Sequence, residues 1–439
     1  MKSLDILFLS SKPPYHSAGL ADDMMNALGE AGHNVEFLTL YDFAGRGENQ
    51  YFVISNKPSL WYRIQRKFIH FYKRLVYGKL LSSTYIYNND LIITNPIETL
   101  PPLPTGLLLS KIKKKYDLVV TLFWQDMLTA YSLMKVYEKL HCPIIISSVD
   151  MFTYTGGCYF FLYCRNFEKQ CGCCPALNSN NPNDITHRNF LTKKRVYETI
   201  NYAIGLNTWM QSFAKRTCLF DERRIISTSA VIDEGKFVVL DKKVSREKLQ
   251  LPCNKRFMLL ARYSGDNHEG KGFSYLVDAV NIFCRGLTVT ERSNVMLVII
   301  GEDFNNDDNI IEIPIHNAGF LSTDNLIYAY NACDLFLSPS IDDAGPSMVN
   351  QSIMCGTPVV SFNVGTAIDV IENGKSGYRV ENKNSKAFSQ AILNVFQMKN
   401  STYESLRRST REIALRYNSK QSFVRMIENT YSQLAQKLV

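Results

Sequence analysis

The feature that most narrows the fold is a recurring order of short apolar runs, small-residue loops and amphipathic segments, clearest between residues 334 and 380. A run at 334–337 ends in Ser338-Pro339-Ser340 and an acidic, glycine-containing loop. An amphipathic segment then leads to Cys355-Gly356-Thr357-Pro358 and a second apolar run at 359–362. Strand, loop, helix, strand is one turn of a parallel α/β sheet. A loop of this kind opening a helix leaves backbone N–H groups and a positive dipole end for a phosphate. Acidic residues beside it could grip sugar or ribose hydroxyls. Gly and Pro also serve turn geometry alone, so the segment has a purely structural reading too.

The same alternation recurs along the chain. A strand at 4–10 is followed by a Pro13-Pro14 and His16-Ser17-Ala18-Gly19 loop, a helix through Leu28 and a stop at Gly32. Further strands read at 34–40, 91–94, 118–122 and 143–147, and a second set at 257 onward, 295–300, 334–337 and 359–362. Gly270-Lys271-Gly272-Phe273 opens a helix within that second set. A chain of 439 residues is too long for one ordinary core. The expectation is α/β, with two Rossmann-like domains facing a cleft. Their boundaries are placed at 1–235 and 236–418, with a charged, non-periodic linker at 241–250 and a helix over 419–439.

Apolar residues make up 46% of the chain and charged ones 21%, which excludes a disordered protein. No apolar run approaches the roughly 18–20 residues that span a bilayer. The apolar N-terminal stretch is short, contains Asp5 and runs into Lys12-Pro13-Pro14, so it reads as a first strand and not a signal peptide. The expected location is cytoplasmic, and the 11 cysteines are then thiols or metal ligands.

The net charge of +8 is modest, but residues 60–80 hold six cations (Arg63, Arg66, Lys67, Lys73, Arg74 and Lys79) and no acid. Trp61, Ile64, Phe68, Phe71 and Leu75 recur there at helical spacing. A basic amphipathic helix suits an anionic membrane surface, here the inner face of the cell membrane. The alternative is a core-facing helix with a solvated basic back. No recognition motif accompanies the charge, so nucleic acid is not an expected partner.

Five cysteines, at 158, 164, 171, 173 and 174, fall within 17 residues. Cys171-x-x-Cys174 has the knuckle spacing favoured by zinc, and Cys158 and Cys164 could supply two further thiolates. The alternative is a loop of reduced, partly buried thiols. An iron–sulfur cluster is a weaker fit.

The segment 338–380 resembles the donor-site signature of retaining glycosyltransferases of family 4, with Asp343 and Gln351 where that signature has two Glu residues. The opening of the chain and the segment 207–237 resemble the same family more loosely, and the helix at 419–439 resembles the family's C-terminal helix, which crosses back to brace the first domain. Thr155-Gly156-Gly157-Cys158 and the cysteines after it resemble a branch that includes colanic-acid-type polysaccharide glycosyltransferases. The resemblance implies that Asp343 meets the transferred sugar and Gln351 the ribose of a nucleotide-sugar donor. Gly19 approaches the donor phosphate. Arg262 and Lys271 support the leaving diphosphate, with the backbone of Gly345, Ser347 and Met348 completing the cradle. Asp150 stands on the acceptor side as a second catalytic candidate, or else is a turn residue. Positioning is the main demand of retaining transfer without a covalent intermediate, and no catalytic metal is expected. The implied function is transfer of a sugar to a lipid-linked glycan acceptor during bacterial surface polysaccharide synthesis. Two rivals remain: an impaired binding or scaffold subunit of a glycan-assembly complex, and a nucleotide-sugar epimerase on the same fold.

Overall fold

The computed structural model describes residues 2–436 except 55–59, 78–84, 89–90, 95–96, 229, 266–268, 307–309 and 346. The chain divides into two compact units, Met1–Thr228 with Phe423–Val439, and Ser229–Ser422. The expected boundary after 235 lies seven residues beyond the observed one, and the expected boundary after 418 lies four residues short of it.

Strands in the N-terminal unit are β1 (Asp5–Ser10), β2 (Asn34–Tyr41), β3 (Gln50–Ile54), β4 (Tyr85–Asn88), β5 (Leu91–Thr94), β6 (Leu118–Thr121), β7 (Ile144–Ser147), β8 (Cys158–Phe160), β9 (Tyr202–Leu206) and β10 (Ile225–Ser227). Seven form one parallel sheet in the order β10-β9-β7-β6-β1-β2-β3. Strand β6 is buried throughout and β7 nearly so, which is why they read as continuous apolar runs; β9 is equally buried but was not read from the sequence. A small antiparallel sheet, β4-β5-β8, carries Cys158. The helix Lys420–Ala435 is counted with this unit from Phe423 onward, and Asn201 Nδ2 donates to Leu434 O at 3.0 Å.

The C-terminal unit holds β11 (Phe257–Tyr263), β12 (Val295–Gly301), β13 (Ile315–Gly319), β14 (Leu335–Ser338), β15 (Val359–Phe362) and β16 (Gly377–Val380). They form one parallel sheet, ordered β13-β12-β11-β14-β15-β16. Counted within the unit this is 3-2-1-4-5-6, the dinucleotide-binding order, whose direction reverses between β11 and β14. Ligands in such sheets sit outside the carboxyl ends of the strands at that reversal.

Two readings of local structure need correction. The stretch at 241–250 is not an irregular linker but contains the helix Lys242–Lys248, capped by the Asp241 side chain, which accepts from Val244 N at 2.9 Å. Its buried side is Ser245 and Arg246, so no apolar period marks it. Arg246 is held by Ala332 O at 2.9 Å and by Asp334 at 3.2 Å. Residues 16–19 are likewise not a loop, since the helix His16–Glu30 begins there and Gly19 N donates to Tyr15 O at 3.1 Å.

Candidate functional site

At the reversal in the C-terminal sheet lies a pocket of about 230 Å³. Arg262 and Ser264 reach it from the end of β11 and Ser338, Pro339 and Ser340 from the end of β14; Lys271, Asp343, Gly345, Ser347 and Met348 complete much of the lining. Two loops are fastened together beneath it. Ile341 N and Asp342 N both donate to Gly270 O, at 2.9 and 3.2 Å. Gly272 caps the helix Phe273–Arg285 in the left-handed region, φ +63°, and a Cβ there would meet Pro339 O at 2.1 Å. Only glycine lets the two loops approach this closely.

Asp343 is 7% exposed, and both its oxygens are engaged. Lys271 Nζ donates to Oδ2 at 2.6 Å, and Gly345 N donates to Oδ1 at 3.0 Å. The lysine remains half exposed, so the pair is partly solvated. The helix Ser347–Met354 starts beside it. Its first N–H groups have no intrahelical acceptor, and its positive end faces the pocket through Ser347 and Met348. Two cations, one carboxylate, a helix N-terminus and a set of hydroxyls thus share one small volume. Such a set can hold a phosphate and a polyol together.

Six of the predicted donor-site residues therefore line a single pocket: Arg262, Lys271, Asp343, Gly345, Ser347 and Met348. Gln351 does not. It is 1% exposed, and its Oε1 accepts from Tyr330 OH at 2.9 Å inside the core. Every position of the helix from Val349 to Met354 is buried, more than a full turn, so Gln351 lies where the helix is enclosed all round. Its assignment to a ribose is corrected to a core hydrogen bond. Gly19 and Asp150 belong to the N-terminal unit and are not among the lining residues. Ser264, Ser338 and Ser340 were not singled out from the sequence. The rule that ligands gather at strand carboxyl ends would have marked Ser338 and Ser340, which directly follow an apolar run.

Asp150 is also corrected. It is 4% exposed, its Oδ1 accepts from Phe152 N at 2.8 Å and its Oδ2 from Gln125 Nε2 at 2.6 Å. Burial pushes its pKa up to about 6, against the smaller opposing effects of these donors and of Lys193. It caps the turn after β7 and does not present a free carboxylate.

The cysteine-rich stretch is anchored by the helix Ile185–Thr199. From it Lys193 donates to Phe152 O and, at 2.9 Å, to Thr155 O, while Asn189 Nδ2 donates to Gly156 O at 3.1 Å. Lys193 also lies 3.4 Å from Glu98, both side chains having no exposure. Residues Gln170, Cys171, Gly172 and Cys173 all take positive φ, a tight left-handed run, and Gly156 N donates to Cys171 Sγ at 3.2 Å. Burial raises the thiol pKa of Cys158, Cys164, Cys171 and Cys174, to about 12 for Cys171 and about 11 for Cys174. Cys158 lies near enough to the other three for charge on any of them to raise it further. The four are thus neighbours. Yet among the described residues no group of three or more Cys, His, Asp or Glu is arranged to hold a metal ion.

Residues 241–413 match the family model of glycosyl transferases group 1, which covers most of the C-terminal unit. A curated relative, an uncharacterized glycosyltransferase of Methanocaldococcus jannaschii, is 26% identical over 129 residues, 28% of this chain. The match spans 32% of that relative's length. Among solved structures, sucrose-phosphate synthase from Thermosynechococcus elongatus is similar with a TM-score of 0.62 at 13% identity, covering 98% of this chain and 99% of that one. HepE of Anabaena, in complex with UDP and glucose, is similar with a TM-score of 0.61 at 13% identity, covering 98% and 100%. The fold is that of the GT-B glycosyltransferases, and the match to the group 1 model lies within the C-terminal unit.

Proposed function

We propose that this chain is a glycosyltransferase that takes a nucleotide sugar as donor, its diphosphate held in the pocket between β11 and β14. The observation that carries the reading is the convergence of Arg262, Lys271, Asp343 and the start of helix Ser347–Met354 on one volume, at the reversal of a dinucleotide-type sheet. Breaking the bond between an anomeric carbon and a diphosphate builds charge on the leaving phosphate. Fixed cations and N–H groups aimed there stabilise that charge. Lys271 is the better placed cation, standing just before the left-handed cap of a helix. Donor binding exchanges its carboxylate partner for phosphate and releases Asp343 Oδ2 toward sugar hydroxyls. That HepE was solved with UDP and glucose supports the same chemistry for a chain of this fold.

Retention at the anomeric carbon, a lipid-linked glycan acceptor and a role in surface polysaccharide synthesis belong to the same proposal. They rest on the resemblance of the 338–380 segment and of the cysteine-rich stretch to family-4 sequences. Zinc binding by Cys158, Cys164, Cys171 and Cys174 is proposed on their spacing and proximity alone, and no step of the reaction depends on it. Metal analysis of the purified protein decides it.

A second reading keeps the pocket but not the turnover. The Lys271–Asp343 pair and the burial of Gln351 favour it, since both withdraw polar groups from a ligand. One experiment separates the two. A screen of UDP- and GDP-sugars by thermal shift is followed by assay of slow donor hydrolysis without acceptor. A transferase is stabilised by its donor and hydrolyses it. A binding subunit is stabilised only, and absence of any shift overturns both readings.

A further inference from the structure

The helix Leu60–Tyr77 is oriented opposite to what its amphipathic pattern would require of a core helix. Leu60, Ile64, Phe68, Phe71 and Leu75 are spaced four, four, three and four apart. At about 100° per residue they fall within an arc of roughly 80°. Every one of them is exposed, at 70, 50, 66, 60 and 67% respectively. The buried Tyr62 and half-buried Ile69 lie on the other side of the helix, roughly 150° from the middle of that arc. Among the described side chains, the helix therefore rests on its own unit through a tyrosine and an isoleucine, and turns this apolar stripe to water.

We propose that this face is a docking surface for an anionic lipid bilayer. The stripe enters the boundary between headgroups and acyl chains, and the exposed Arg63 and Lys67 along its edge meet lipid phosphates. Charge selects this occupant. Residues 49–89 contain seven Lys and Arg and no Asp or Glu. A second copy of the chain docking here would bring two such segments together in mutual repulsion. A nucleic acid would be met by the apolar stripe instead of the cations. A flat helix of 18 residues, about 27 Å long, presents its row of side chains at one depth. Among the described residues no helix is long and apolar enough to cross a membrane, so the contact is peripheral. This inference stands apart from the activity proposed above, since it needs neither donor nor acceptor.

The test is co-sedimentation of the full chain with vesicles of phosphatidylcholine alone and with 30% phosphatidylglycerol. The expected result is pelleting with the anionic vesicles only, weakened as salt shortens the screening length below about 10 Å. Phe68→Ser with Phe71→Ser removes the insertion, and Arg63→Glu with Lys67→Glu reverses charge at its edge. The second pair should lower partitioning by about 25-fold or more, at about fivefold per cation. All four side chains are exposed, so thermal melting and circular dichroism should match the parent. The proposal is overturned if the parent stays in the supernatant, if both vesicle types pellet it equally, or if either double variant binds like the parent. It is equally overturned if sedimentation velocity shows a dimer that the Phe68 and Phe71 changes dissolve while vesicles never bind.

Discussion

Asp343 and Asp150 each follow a buried parallel strand, and each has both carboxylate oxygens engaged. Their partners differ in kind. Asp343 is joined to a half-exposed lysine at the rim of a pocket. Asp150 is joined to a glutamine and a backbone amide under a fully buried Lys193–Glu98 pair. A partner that can be exchanged for a ligand makes a carboxylate a site, and partners that cannot make it a brace. Position after a strand end does not distinguish the two.

The largest effect that would sharpen this contrast is expected at Lys193. Lys193→Met leaves Glu98 buried without its cation, a loss of about 3–5 kcal/mol in stability. Urea denaturation should show it, with nucleotide affinity in the C-terminal unit unchanged. Adding Glu98→Gln should recover part of the loss, and a loss under about 1 kcal/mol would end the brace reading. At the other aspartate's partner, Lys271→Ala should lower turnover by about 10²–10³, with a stability loss of about 1–3 kcal/mol from leaving Asp343 without its cation. Equal turnover in a folded variant would remove Lys271 from the site.

Asp150 comes next. Its folded pKa of about 6 stands above the ordinary value of 3.8. The native state therefore holds the proton more tightly, and this contribution is fully present below about pH 4 and lost as pH rises through 6. Asp150→Asn should flatten that slope, a difference of up to about 3 kcal/mol between pH 4 and 7. A slope as steep in the variant would show that Asp150 titrates normally. Smallest is Tyr330→Phe, which strips the hydroxyl from buried Gln351 and should cost about 1–2 kcal/mol by denaturation. Donor affinity should not change. A weakened donor would return Gln351 to the pocket.

The alternation of apolar runs made four strands of each parallel sheet legible in the sequence, because parallel strands buried on two faces leave few polar residues within them, while β3, β9, β10, β13 and β16 were not read. The pocket was legible through Lys271-Gly272 and the 338–348 loop, where backbone geometry and ligand chemistry demand the same small residues. What could not be read was direction. Gln351 and Asp150 are polar residues in the right segments, but a helix's rotation and a turn's cap decide that they face inward. The helix at 242–248 escaped notice for the opposite reason, since its buried side chain is an arginine. For the helix Leu60–Tyr77 the pattern gave amphipathicity, and only the structure showed which side meets water.

The pairing of Lys271 with Asp343 has a consequence for how fast and how selectively the pocket fills. A free lysine gives up about 1.5–2 kcal/mol of rotamer freedom when a ligand fixes it. This one is already fixed on its carboxylate, so an arriving phosphate trades one anion for another and orders little. The pair is also neutral as a whole, which weakens the pull on distant anions and leaves long-range attraction to Arg262 and the helix start. The site is thereby biased against small, loosely held anions. A ligand must bring enough hydroxyls to satisfy the displaced carboxylate, or the exchange leaves Asp343 without a partner at 7% exposure.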